Sequence, residues 1–85
     1  MSLSQEIVQY RARLATLETD MVGQNLRIED LRNKLKAQIS GIRQNLDLSP
    51  EAIGDIALRL VAELTVLKEK HGEAVAIREA LGLGK

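Results

Sequence analysis

Few side-chain types do chemistry at neutral pH, and this 85-residue chain carries few of them. His71 is the only histidine and cysteine is absent. That removes disulfides, thiolate nucleophiles, Cys/His metal sets and any pair of histidines within one chain. Alone, His71 could serve as a pH switch or give half of a metal site across a symmetry axis. Beside Lys70 and Gly72 it reads instead as a polar helix-end residue. The serines are Ser2, Ser4, Ser40 and Ser49. A serine nucleophile needs a base held within hydrogen-bond reach, whereas Ser2, Ser4 and Ser49 stand where helix N-caps belong. Glu29 and Asp30 are adjacent carboxylates, but neighbours in a helix do not face one another. Gly82-Leu83-Gly84-Lys85 has the ending of a phosphate-binding loop without its earlier glycine or preceding strand. No catalytic, metal or cofactor set emerges, and a thin helical rod supplies no water-excluding cleft. The chain is read as non-enzymatic and without a cofactor.

The elements that would position these residues are helices. Hydrophobic residues make up 45% of the chain but aromatic ones only 1%. The core must then be aliphatic, and a Leu-, Ile-, Val- and Ala-rich composition favours helix over sheet. No apolar run approaches the roughly 20 residues that span a bilayer, and no signal-peptide segment is visible, so a cytoplasmic protein is expected. The expected class is all-α: a long coiled-coil helix over residues 1–46, then C-terminal helices over 47–85 packing back on its end.

The first helix rests on a heptad repeat. Apolar residues recur in alternating steps of four and three, with Ile7, Leu14, Met21, Ile28, Leu35 and Ile42 at a positions. Leu3, Tyr10, Leu17, Gln24, Leu31, Gln38 and Asn45 hold the d positions. From Leu3 to Ile42 only the two glutamines interrupt a seam that runs for about six heptads, the signature of a coiled coil. Near its end the stripe steps onto Ile39 and Leu46, a drift that widens the apolar face.

Asp47-Leu48-Ser49-Pro50-Glu51 reads as a stop and a restart, with Ser49 as N-cap, Pro50 at the first helical position and Glu51 at the positive helix end. Ile53, Ile56, Leu60, Leu64 and Leu67 then form the apolar face of a second helix, Pro50–Lys70, expected to turn back on Ile39, Ile42 and Leu46. Gly72 is expected to end it. A third helix would follow from Glu73 to Leu81, closed by Gly82 with Leu83 folded back on Ile77, so that the C-terminal part is a short helical hairpin. The competing arrangement is one helix to Leu81 with Gly72 inside it, at a cost of about 1 kcal/mol.

A second helix ending at Lys70 is about 30 Å long and cannot reach residues 3–28 of the first, so the uncovered seam implies a second chain. A homodimer follows, with a helical bundle at the hairpin end. Its orientation is expected to be parallel: Glu6 and Arg11, and Arg13 and Glu18, would then attract between chains, and Gln24 and Gln38 would meet their own symmetry mates. The resulting expectation is a structural or interaction protein, an adaptor or accessory factor for another macromolecule. The alternative is a small nucleic-acid-associated regulator. Twelve basic and twelve acidic side chains cancel overall, yet residues 24–46 carry a net charge of +3. Arg27, Arg32, Lys34, Lys36 and Arg43 would be the phosphate contacts, though no aromatic side chains accompany them for base stacking.

Overall fold

A computed structural model describes residues 3–82, with backbone only for Leu3. Two α-helices account for nearly all of it: α1, Leu3–Ser40, and α2, Pro50–Ala80, with a single 3-10 turn at Asn45–Asp47 between them. No strand occurs among the described residues. The helices lie antiparallel along much of their length, giving a rod of 64 × 22 × 15 Å.

α1 stops at Ser40, six residues short of the expected Leu46. A Cβ at Gly41 would sit 2.9 Å from the carbonyl oxygen of Ala37, so the chain leaves the helix where no side chain needs that space. The restart is as its residues dictate. Ser49 is extended and its hydroxyl accepts from the Ala52 backbone N–H at 3.2 Å, with Pro50 opening the helix. At the far end Gly82 takes φ +74° and donates its N–H to the Glu79 carbonyl at 3.1 Å. That is the left-handed stop that glycine adopts without a Cβ penalty. The expected fold-back of Leu83 on Ile77, and Ser2 as an N-cap, lie outside the described residues.

The expected break at Gly72 is corrected. α2 is continuous over 31 residues, Gly72 lies inside it, and no third helix exists among the described residues. The C-terminal part is therefore one long helix, not a short helical hairpin. The reason is tertiary. Continuing past the glycine costs about 1 kcal/mol but delivers Ala74 and Ile77 onto Leu14 and Leu17, forming the best-enclosed cluster in the chain. Leu17 and Ala74 are both 0% exposed. A helix of 31 residues spans about 46 Å, so α2 reaches far into the segment of α1 expected to lie beyond it. That expectation is corrected too: from Leu14 to Leu31 the stripe on α1 is covered by the chain's own second helix, while Ile7 and Tyr10 stay exposed.

Two of the residues expected to pack the second helix also differ. Ile39 is 47% exposed and Leu46 is 96% exposed. Because α1 ends at Ser40, Leu46 falls in the 3-10 turn and leaves the helical stripe altogether. Ile53, Ile56, Leu60, Leu64 and Leu67 are half-buried along α2.

Candidate functional site

What the fold positions is a pair of surfaces: one between the helices, one on the back of α1. The inner surface uses the heptad stripe. Leu14, Leu17, Ile28 and Leu31 are buried, Met21, Leu35, Gln38 and Ile42 are half-buried, and Ile7 and Tyr10 are exposed at the free end of α1. Met21 and Leu81 close over the cluster of Leu14, Leu17, Ala74 and Ile77.

Gln24 stands between this cluster and the pair Ile28 and Leu31, and it is only 3% exposed. Its Nε2 donates to Glu63 Oε2 at 2.8 Å, while its Oε1 is buried without a partner among the described residues. Because a carboxylate only accepts, the amide must turn its nitrogen to Glu63, and this leaves the oxygen unsatisfied. Arg27 Nε also donates to Glu63, at 3.2 and 3.3 Å to the two oxygens. These donors hold the Glu63 carboxyl below the usual carboxylate range, Gln24 first and then Arg27, against partial desolvation that pushes the other way. Sequence reasoning pairs Gln24 with a symmetry mate; the structure pairs it with α2.

Charges on both sides of the seam are committed to α2 in the same way. Arg13 grips Glu73 through Nε and Nη2 at 3.0 and 2.9 Å. Arg78 donates to Glu18 at 2.8 Å, and Lys70 to Asp20 at 3.4 Å. The Arg13 bonds hold Glu73 below the usual carboxylate range as well. Each exposed pair contributes only a few tenths of a kcal/mol, but their order specifies register. Along one side of α1 the signs run plus, minus, plus at Arg13, Asp20 and Arg27, against Glu73, Lys70 and Glu63. Sliding α2 by one heptad sets Asp20 against Glu63, or Arg27 against Lys70. It also strips the buried Gln24 amide of its acceptor, so the slipped arrangements are penalised.

The proposed phosphate contacts are mostly occupied. Arg27 is paired with Glu63, Arg32 with Glu29 at 3.3 Å and Lys34 with Asp30 at 2.9 Å. Lys36 and Arg43 make no ion pair among the described residues. An open groove lies beside this stretch, lined by Leu26, Arg27, Leu31, Arg59, Ala62 and Glu63 among others. His71 is exposed on α2. No group of three or more His, Cys, Asp or Glu side chains that could hold a metal occurs among the described residues. No described helix is long and apolar enough to cross a membrane.

Comparison with known proteins returns no match, whether to a protein-family model, to a curated protein or to a solved structure. The chemistry of the surface has to carry the functional argument.

The back of α1 is the feature that sequence reasoning missed. Val8, Ala12, Ala15, Thr19, Val22 and Leu26 follow one another in steps of four, three, four, three and four. They trace a second stripe, on the side of the helix opposite the first. All six are exposed, with Val8 at 65%, Val22 at 62% and Leu26 at 68%. The neighbouring Gln9, Thr16 and Gly23 carry no charge either. Thr16 and Thr19 donate their hydroxyls to the carbonyls of Ala12 and Ala15 at 3.1 and 3.0 Å, so neither hydroxyl needs water as an acceptor. The signal was present in the spacing, but Ala and Thr at its centre conceal it beside a seam of Ile and Leu.

Proposed function

We propose that this chain is a non-enzymatic interaction protein, a homodimer that serves as an adaptor or accessory factor for another macromolecule. The observation that carries the reading is surface. A compact monomer of this mass exposes about 5,000 Å², whereas the hairpin exposes 6500 Å². The excess of about 1,500 Å² exceeds the roughly 800 Å² that each partner buries in a standard protein–protein interface. Much of it is apolar, with Val8, Val22, Leu26, Leu58, Val61 and Leu46 each at least 60% exposed. Two helices in one layer cannot cover both sides of themselves, and small scaffolds of this kind gain their remaining stability by association.

Sedimentation equilibrium tests the reading. A mass of two chains at micromolar concentration is expected, and a single-chain mass up to tens of micromolar overturns the homodimer. Three of the five basic side chains of the nucleic-acid alternative already have carboxylate partners, and no feature of the surface favours that alternative.

A further inference from the structure

We infer that the second copy packs on the back of α1, along Val8, Ala12, Ala15, Thr19, Val22 and Leu26, with the two α1 helices antiparallel about a two-fold axis near the level of residue 17. This rests on the homodimer reading and adds where and how the copies meet.

Three observations converge on that face. First, it is uncharged from Val8 to Leu26, a length of about 27 Å, in a chain of which 28% is charged. Of the charged side chains that α1 carries there, Arg13, Glu18, Asp20 and Arg27 are tied to α2 on the other side, and Arg11 borders the stripe without an ion pair among the described residues. A solvated helix back ordinarily carries the charges; here most are drawn away from it. Second, the alternating four-three spacing is that of a helix-packing seam, and the seam on the opposite side already has its partner in α2. Third, the residue sizes are complementary only in one direction. In the antiparallel arrangement Val8 faces Leu26, Ala12 faces Val22 and Ala15 faces Thr19, so small residues meet larger ones along the stripe. A parallel arrangement sets Ala12 on Ala12 and Ala15 on Ala15, leaving a gap between layers of Val, which close packing disfavours. An isologous two-fold contact of this kind closes on itself and stops at two copies. The occupant is therefore a second copy of this chain. A charged ligand or a polyanion would find no charged side chain within the stripe itself, only Arg11 at its border.

The test has two arms. Val22→Glu puts a charge within the stripe, opposite Ala12 of the second copy, at a position 62% exposed within the single chain. Its helicity should survive while self-association weakens at least thirtyfold, the roughly 2 kcal/mol expected when a charge enters a packed interface. The second arm reads orientation without risk to folding. The chain has no cysteine, so Val8→Cys and Leu26→Cys chains, mixed under mild oxidation, should give the disulfide between unlike chains, and Val8→Cys alone should give none. If the unaltered protein sediments as a monomer, the homodimer reading itself falls and this face falls with it. If the unaltered protein is a dimer and Val22→Glu remains one, the homodimer stands and this face is wrong. A disulfide between two Val8→Cys chains overturns the antiparallel arrangement.

Discussion

Changing Gly72 to Ala and Gly82 to Ala should move stability in opposite directions, although the two positions are only ten residues apart, one inside α2 and one just past its end. Gly72 sits inside α2, exposed, with ordinary negative φ and nothing within 4 Å of where its Cβ would be. Alanine there meets no obstacle and gains the intrinsic helix preference over glycine, about 0.8–1 kcal/mol, part of it through a less flexible unfolded chain. Gly82 also has open space around its Cβ, but its φ is +74°. An L-residue in that left-handed conformation costs about 1–2 kcal/mol. For a domain of this size 1 kcal/mol shifts Tm by about 4–8 °C. Gly72→Ala should therefore raise Tm by about 5 °C, and Gly82→Ala should lower it by about 5–10 °C. The two sites lie about 15 Å apart along the helix, so the double variant should be additive within about 0.5 kcal/mol. Thermal unfolding followed by circular dichroism at one fixed protein concentration measures all three. A lower Tm for Gly72→Ala refutes the continuous helix, because a glycine that breaks the chain into two helices with a left-handed turn would resist alanine as Gly82 does.

Leu17→Ala, at a position 0% exposed against Ala74 and Ile77, should cost about 2–5 kcal/mol, whereas Leu46→Ala, 96% exposed, should stay within about 0.5 kcal/mol; urea midpoints at constant m-value check both. Glu63 and Glu73 have folded pKa values held below their ordinary range. The stability they add is present above the unfolded value of about 4.3 and lost as pH falls through the folded values. The urea midpoint should thus decline from about pH 5 downward, and less steeply in Glu63→Gln. Gln24→Leu should raise Tm, because it removes the buried Oε1 that lacks a partner and adds apolar surface to the seam. It should also shallow the acid decline, since Glu63 loses the donor that lowers its pKa most. A lower Tm with an unchanged pH profile would refute that account of Gln24.

Where local rules decide the outcome, the sequence was sufficient. The Ser49-Pro50 restart and the Gly82 stop are set by backbone chemistry within a few residues, and both are found as their side chains require. Of the a and d positions of α1 from Leu14 to Leu31 all are buried except the half-buried Met21, because the large aliphatic side chains on that spacing lie on the side of α1 that faces α2. The occupant of the stripe was another matter. It depended on whether α2 ran 21 or 31 residues, hence on whether burying Ala74 and Ile77 outweighed one glycine. Local propensity sees the glycine and not the burial. The series Ile53, Ala57, Leu60, Leu64, Leu67, His71 and Ala74 kept its heptad spacing across Gly72, and that continuity was the available signal.

The same ambiguity governed the charges. Arg13 and Glu18 attract each other equally well on paper as neighbours across a parallel dimer, but in the hairpin each turns to α2, Arg13 to Glu73 and Glu18 to Arg78. A heptad pattern states that a helix has a partner; it does not state from which chain the partner comes. Once α2 fills the inner stripe, the uncovered surface left for a second chain is on the other side of α1. There the six residues from Val8 to Leu26 satisfy the same spacing rule with smaller side chains. Smaller side chains bring helix backbones closer and make weaker interfaces per residue. An association through this face should therefore be readily reversible, while the inner seam, with its buried Gln24 and its sign-alternating ion pairs, keeps each hairpin in a single register.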